Sequence, residues 1–195
     1  LAPLPADEQA AFVANTPARA RLISDQTVFY YGFNFDSGVF REIELRRAFN
    51  AAIDREALID ELYEGEAVPM RHFTPPGVLG APPAERIGIG YSPDYGQQQI
   101  AISGFRSCRL IPPVRMLIGP SDQSLQQAEI VRKMWVDELG CEESLIEIEQ
   151  VQFGQLLAAT EREANGRPDL WELGWASYFP DAQHWFADLT HCVDS

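Results

Sequence analysis

Positive charge is scarce in this sequence. Fifteen lysines and arginines stand against 29 aspartates and glutamates, which gives a formal net charge of −14 at pH 7. Proteins that bind nucleic acid need clustered lysine and arginine to neutralise the phosphates, so no nucleic-acid partner is expected. The acidic excess is typical of a soluble surface. A preference for cationic ligands is the alternative interpretation, and net charge alone does not locate a site.

Cysteine and histidine are scarce as well, with three of each. Cys108, Cys141 and Cys192 are widely spaced and contain no CxxC pair. This pattern is more typical of small buried side chains than of a disulfide framework, and a single disulfide stays open in an oxidising compartment. The histidines form no HExxH motif or short pair, so we predict neither a metal site nor a bound cofactor.

Long apolar runs and catalytic motifs are absent too. No stretch approaches the length that crosses a bilayer, and Leu1–Pro5 contains no basic leader segment. We therefore expect a fragment or a processed form, and 195 residues are enough for one domain or one lobe of a larger protein. The sequence contains no GxSxG nucleophile motif and no glycine-rich phosphate loop, so we do not expect an enzyme.

What the sequence does contain is a strand followed by two helices between Phe29 and Gly65. Aromatic and β-branched residues at Val28–Phe33 predict a strand. Apolar residues at helical spacing from Ile43 to Ile53 predict a helix. Asp54 is expected to cap the next helix with its carboxylate, and Gly65 is a natural end for it.

Strands and helices continue to alternate in the rest of the chain. Prolines and glycines exclude a long helix or a central strand from Glu66 to Tyr95, and this segment is expected to be structural cover. The elements predicted after it are a short helix that starts at Tyr91–Asp94 and ends at Gly104 and Phe105, a strand at Val114–Ile118, a helix capped by Ser121 or Asp122 that ends at Gly140, a strand at Leu145–Val151, a helix at Phe153–Ala164, a strand at Asp169–Trp175, and a short helix from Asp181 to Leu189. Such alternation is typical of an α/β sheet with helices packed on its faces.

An ordered set of residues in the first half of the chain resembles the extracellular solute-binding proteins of family 5, the peptide- and nickel-binding receptors of ABC importers. The set comprises Asn34, Arg47, Ala48, Ala52, Ile53, Asp54, Arg55, Gly65 and Pro69. The resemblance implies a class II periplasmic-binding-protein fold with two lobes and a mixed sheet. Residues 1–26 would enter from a first lobe outside this sequence, and residues 27–195 would form the second lobe.

The resemblance also implies a function. The protein would bind a solute, a peptide before any other, and deliver it by lobe closure to an ABC permease in the membrane. It would work outside the cytoplasm, in the periplasm or at the cell surface, where a lipid anchor is one option. The alternative is a ligand-sensing domain of the same fold attached to a transcriptional regulator.

The candidate ligand site lies between Leu173 and Trp185. Gly174 and Trp175 end a predicted strand, and ligands of open α/β sheets bind at the carboxyl ends of strands. In peptide-binding members of the resembled family, an Asp three residues after this Trp pairs with the ligand's α-amino group. Here that position is Tyr178, which leaves a peptide, a modified peptide, a sugar or an opine-like compound open.

The residues expected to contact the ligand are Trp175, Ser177, Tyr178 and Asp181. Stacking on the ligand and packing in the core are equally open for Trp175 and Tyr178. Asp181 precedes a predicted helix, so a capping role is favoured over a ligand contact. Trp171 and Trp185 are expected in the core.

Overall fold

A computed structural model describes residues 11, 12, 15, 26–63, 67–161, 164–176, 178, 179 and 181–189. Most of the segment assigned to residues 1–26 therefore lies outside the described residues, as do Gly65, Ser177 and Cys192. The division into an entering segment and a second lobe stays a prediction.

Four strands and six helices follow one another in the described part of the chain. The strands are β1 (Thr27–Phe33), β2 (Val114–Ile118), β3 (Ile146–Gln150) and β4 (Leu170–Ala176). The helices are α1 (Ile43–Ala51), α2 (Arg55–Tyr63), α3 (Pro93–Ile102), α4 (Asp122–Leu139), α5 (Phe153–Thr160) and α6 (Ala182–Leu189). Single 3₁₀ turns at Cys108–Leu110 and Glu143–Leu145 precede β2 and β3. The predicted order of elements is confirmed.

The strands form one mixed sheet in the order β1-β4-β2-β3. β2 runs parallel to both β3 and β4, whereas β1 is antiparallel to β4, with Val28 opposite Trp175. Side chains of a strand alternate between the two faces of the sheet. Met116 and Ile118 accordingly lie in the main core with α1, α3 and α4, while Leu117 packs against α5 on the other face. The predicted fold class is confirmed.

The helix ends follow from local chemistry. One Asp54 carboxylate oxygen accepts the backbone N–H groups of Glu56 and Ala57, both at 3.1 Å, as expected of a cap. Ser121 rather than Asp122 caps α4, because its hydroxyl accepts the N–H of Ser124 at 3.0 Å. Gly140 ends α4 with a left-handed φ of 66°.

α5 is shorter than predicted. It ends at Thr160 rather than at Ala164, because the backbone of Glu161 leaves the helical region with φ −57° and ψ 143°. Helical periodicity in the sequence does not reveal such a change, since a single residue in extended conformation is enough to end the hydrogen-bond ladder.

The preference for unbonded cysteines was wrong. Cys108 and Cys141 form a disulfide, with their Cα atoms 4.7 Å apart. Both side chains are buried in the main core, as expected of cysteine, but they reach each other because the 3₁₀ turn before β2 lies beside the end of α4. The bond ties the two ends of the β2–α4 unit together.

The proline-rich segment covers one end of the sheet. Residues 67–92 are irregular, as predicted, and Val78 packs with Val28 and Trp185 in a second, smaller core. Trp171 and Trp185 are buried, which confirms the expectation for both. No helix among the described residues is long and apolar enough to span a membrane.

Candidate functional site

Three strands end at the same edge of the sheet. β2, β3 and β4 run parallel, so the segments that follow them, Gly119–Ser121, Val151–Phe153 and residues 178 and 179, emerge side by side. We refer to this edge as the carboxyl edge. Ligands of open α/β sheets bind at such an edge, since loops there are free to vary while the strands fix their origin.

Trp175 serves mainly to anchor the end of β4. Its ring is partly buried against the small core formed by Val28, Val78 and Trp185. Its indole nitrogen is buried and has no hydrogen-bond partner among the described residues. Core packing therefore explains the position of most of this ring. The indole N–H is the one polar group of Trp175 that has no partner among the described residues.

Tyr178 has the opposite environment. Its side chain is 89% exposed, so core packing does not account for it. An exposed aromatic ring at the carboxyl edge can stack on a flat or apolar group of a ligand. Ser177, between these two aromatic residues, lies outside the described residues.

A buried histidine holds the turn after β4. His184, in the first turn of α6, is only 6% exposed. Its ring lies 5.5 Å from that of Trp175, 5.4 Å from that of Tyr178 and 4.7 Å from that of Phe179, measured between centroids. We refer to Trp175, Tyr178, Phe179 and His184 as the aromatic turn. Sequence reasoning missed His184 here, although its position nine residues after Trp175 on a short helix was the available signal.

Asp181 caps α6, as favoured from the sequence. Its carboxylate accepts the backbone N–H of Gln183 at 2.8 Å. The backbone beside it pairs with the proline-rich segment, because the N–H of Ala182 donates to the carbonyl oxygen of Leu79 at 3.1 Å. This pairing fixes the origin of α6. A ligand contact by Asp181 stays a prediction.

Other exposed apolar side chains at or near the carboxyl edge were not predicted. Phe153, the first residue of α5 and three residues beyond the end of β3, is 59% exposed, and Leu157 one helical turn later is exposed too. Phe29 is exposed on β1, where it lies over Gly174 of β4. The available signal for Phe153 was its position at the start of the helix that follows a predicted strand.

A buried polar cluster lies on the other face of β4. Glu172 accepts a hydrogen bond from the Ser124 hydroxyl at 3.1 Å through one oxygen, while its other oxygen is buried without a partner. Beside it, the Gln127 amide donates to the Tyr31 hydroxyl at 3.2 Å and accepts from the Tyr63 hydroxyl at 2.7 Å. We refer to these five residues as the Glu172 cluster.

The titrations in this cluster are displaced by burial. Burial raises the pKa of the Glu172 carboxyl, and the Ser124 hydrogen bond lowers it by less. Burial, followed by the negative charge of Glu172, raises the pKa values of Tyr31 and Tyr63. The two phenols stay neutral at physiological pH, so they provide hydrogen-bonding groups and no counter-charge.

Metal-ligating clusters are not found in the part of the chain that the structure describes. No group of three or more His, Cys, Asp or Glu side chains gathers there in a way that could hold a metal ion. Two depressions, one along α3 and one beside β3, are open to the surface. The carboxyl edge itself offers exposed aromatic rings, and one buried carboxyl group, that of Glu172, lies further back along β4.

Comparison with known proteins shows which family the chain matches. Residues 1–195 match the family model described as bacterial extracellular solute-binding proteins, family 5 middle. The chain is 23% identical over 126 residues to the oligopeptide-binding protein OppA of Bacillus subtilis, covering 60% of this chain and 23% of the relative. It is 27% identical over 112 residues to heme-binding protein A of Haemophilus influenzae, covering 55% and 20%. It is 22% identical over 172 residues to the dipeptide-binding protein of Escherichia coli, covering 86% and 30%.

Solved structures show the same fold. The Escherichia coli murein tripeptide binding protein MppA matches with a TM-score of 0.75 and 20% identity, over 95% of this chain and 36% of that one. Haemophilus influenzae OppA in complex with the peptide RPPGFSPFR matches with a TM-score of 0.72 and 17% identity, over the same shares. This chain therefore spans about a third or less of the proteins that it matches. The chain belongs to the bacterial extracellular solute-binding proteins of family 5.

Proposed function

We propose that this chain is one lobe of an extracytoplasmic solute receptor that delivers its ligand to an ABC permease. Family membership supports solute binding. The limited span over longer relatives supports a cleft whose other wall comes from a different part of the receptor. The relatives' names, oligopeptide-binding, dipeptide-binding and heme-binding, favour a peptide first and leave a larger planar ligand as an alternative.

The observation that carries this proposal is the exposure of Tyr178. A ring that is 89% exposed but held by the buried His184 presents a large apolar surface in a defined place. Phe153 and Phe179 add exposed apolar surface at the same edge of the sheet. Several exposed aromatic side chains at one edge of the sheet favour an interaction site there.

The mechanism is closure rather than bond chemistry. Two lobes rotate about a hinge and bury the ligand between them, so that most of its surface leaves water. Trp175, Ser177 and Tyr178 supply one wall of the cleft in this proposal, with Asp181 at its margin. The closed form is the one that docks on the permease.

The disulfide supports a location outside the cytoplasm. Disulfides persist in oxidising compartments and are rare in the cytosol, where thiols are kept reduced. The Cys108–Cys141 bond therefore favours a periplasmic or cell-surface receptor, with or without a lipid anchor, over a sensory domain attached to an intracellular regulator.

Calorimetry on the complete receptor that contains this chain tests the proposal. With tri- to pentapeptides as ligands, Tyr178→Ala should weaken binding about tenfold, the effect of losing one well-placed aromatic contact. Tyr91→Ala is the matched control, because Tyr91 is also exposed but lies just before α3, where its hydroxyl donates to Glu138 near the end of α4. Unchanged affinity in Tyr178→Ala would place the ligand elsewhere. Nanomolar binding by the isolated chain would refute a shared cleft.

A further inference from the structure

Glu172 is a buried carboxyl group whose partners are incomplete. The residue is 8% exposed, in the middle of β4. One carboxyl oxygen accepts a single hydrogen bond, from the neutral Ser124 hydroxyl, and the other accepts none. No ion pair involving Glu172 occurs in the part of the chain that the structure describes.

Among the described residues, the elements around Glu172 supply no counter-charge. β1 contributes the Tyr31 phenol, α2 contributes the Tyr63 phenol, and α4 contributes the neutral Ser124 and Gln127. Both phenols have raised pKa values, so neither they nor the other neighbours titrate near neutral pH. An ionised carboxylate in this position costs free energy, since burial of a charge is offset only by a charged partner and full hydrogen bonding.

Glu172 lies near the end of β4 that forms part of the carboxyl edge of the sheet. On the face of β4 that carries Glu172, the residues between it and the strand end are Gly174 and Ala176, both small and both exposed. Phe29 lies over Gly174 from the neighbouring strand and is itself exposed. Gly174 and Ala176 carry little side chain on this face, so the exposed Phe29 ring over Gly174 is the group that a ligand must move past to reach Glu172 along the sheet.

We propose that Glu172 binds a cationic group of the ligand, an ammonium or a guanidinium. The proposal rests on the function proposed above and names the chemical class that the site selects. It assigns a partner to the free carboxyl oxygen and a role to the neighbouring rings, whose faces attract cations. It also supplies an anionic group to a site in which Tyr178 stands where peptide-binding relatives were expected to carry an Asp.

Three related peptides test this proposal on the complete receptor. They are lysyl-alanyl-alanine, its N-acetyl derivative, which lacks the α-ammonium group, and its norleucine analogue, which lacks the side-chain ammonium group. Loss of the group that Glu172 holds should weaken binding to the unmodified protein about tenfold or more, the effect of one charge-assisted hydrogen bond. Comparison of the two derivatives shows which ammonium group is bound.

The variants Glu172→Gln, Glu172→Asp and Glu147→Gln complete the test. In Glu172→Gln the three peptides should bind within about twofold of one another, whereas Glu172→Asp, which keeps the charge, should retain part of the preference. Glu147→Gln is the control, because Glu147 is an exposed carboxylate on β3 of the same sheet. Far-UV circular dichroism establishes that each variant is folded.

Proton release gives a second readout. Burial raises the pKa of Glu172, so in the acidic range where this carboxyl group is partly protonated, a cation that binds there displaces protons from it. Calorimetry in two buffers of different ionisation enthalpy measures this release, and Glu172→Gln should abolish it while Glu147→Gln should not.

The outcomes separate this inference from the function on which it rests. If all three peptides bind the unmodified receptor equally, solute binding stands and the role of Glu172 is refuted. If the preference for charge persists in Glu172→Gln, another group carries it and the inference is again refuted. If the unmodified receptor binds no peptide, the peptide-receptor function fails, and the inference fails with it.

Discussion

The Cys108–Cys141 disulfide should contribute about 4 kcal/mol to the stability of this lobe. It closes a loop with a sequence separation of 33, and the chain-entropy relation gives about 3.8 kcal/mol at 25 °C for that length. Both cysteines are buried in the main core, so removal of the sulfur atoms adds a loss of packing to this entropic term. In a domain of this size, 1 kcal/mol shifts the melting temperature by roughly 2–4 °C. We therefore expect the double variant Cys108→Ala/Cys141→Ala to melt roughly 8–15 °C lower.

Thermal unfolding followed by far-UV circular dichroism measures this shift. Cys192→Ala is the control, since it removes the remaining cysteine and leaves the bond intact. Alkylation in denaturant should label one cysteine per chain before reduction and three afterwards. A melting temperature within about 2 °C of the unmodified protein would refute the stabilisation argued from loop closure. Three labelled cysteines without reduction would refute the bond itself.

Three further substitutions test local features by thermal or urea unfolding. Gly32→Ala should destabilise by about 1–3 kcal/mol, because the new Cβ would overlap the Trp171 ring; Gly38→Ala, with open space around it, should be neutral or stabilising, and equal effects would contradict the packing argument. Asp54→Ala should cost about 1 kcal/mol by removing the cap of α2, and no loss would show that the cap is not stabilising. Glu172→Gln should stabilise the protein at pH 7 by on the order of 1 kcal/mol. The pKa of Glu172 is raised in the folded state, so the unmodified protein loses stability as the pH rises above the pKa of this group in the unfolded chain, and glutamine removes that loss. That gain should vanish towards about pH 4, and a gain that grows on acidification would contradict the assignment.

Structural features that depend on a few adjacent residues were predictable from the sequence. The alternation of apolar and acidic residues at Ile146–Gln150 produced β3, because side chains of a strand point alternately to two faces. Ser121 and Gly140 bound α4 through capping chemistry that depends on a few adjacent residues. Asp181 was correctly favoured as a cap for the same reason.

Features that depend on distant residues were not predictable. Cys108 and Cys141 meet because β2 and α4 pack against each other, and their spacing in the sequence does not contain that information. The Glu172 cluster likewise takes its members from β1, α2, α4 and β4. A single glutamate in an apolar strand could equally have been solvent-exposed, and only the sheet order shows that it is enclosed.

The arrangement of β4 explains how one short segment can both hold the fold and meet a ligand. Alternation along the strand directs Trp171 and Trp175 to one face, where they pack in two small cores, and Glu172 and Gly174 to the other. Beyond the strand end, His184 contacts the rings of both Trp175 and Tyr178. Tyr178 is therefore exposed but still in contact with a buried side chain. A receptor needs rigid positions for its contact groups, because each group ordered only on binding would lower the affinity. The same period of two that builds the core thus also separates the anchoring rings from the proposed cation-binding carboxyl group.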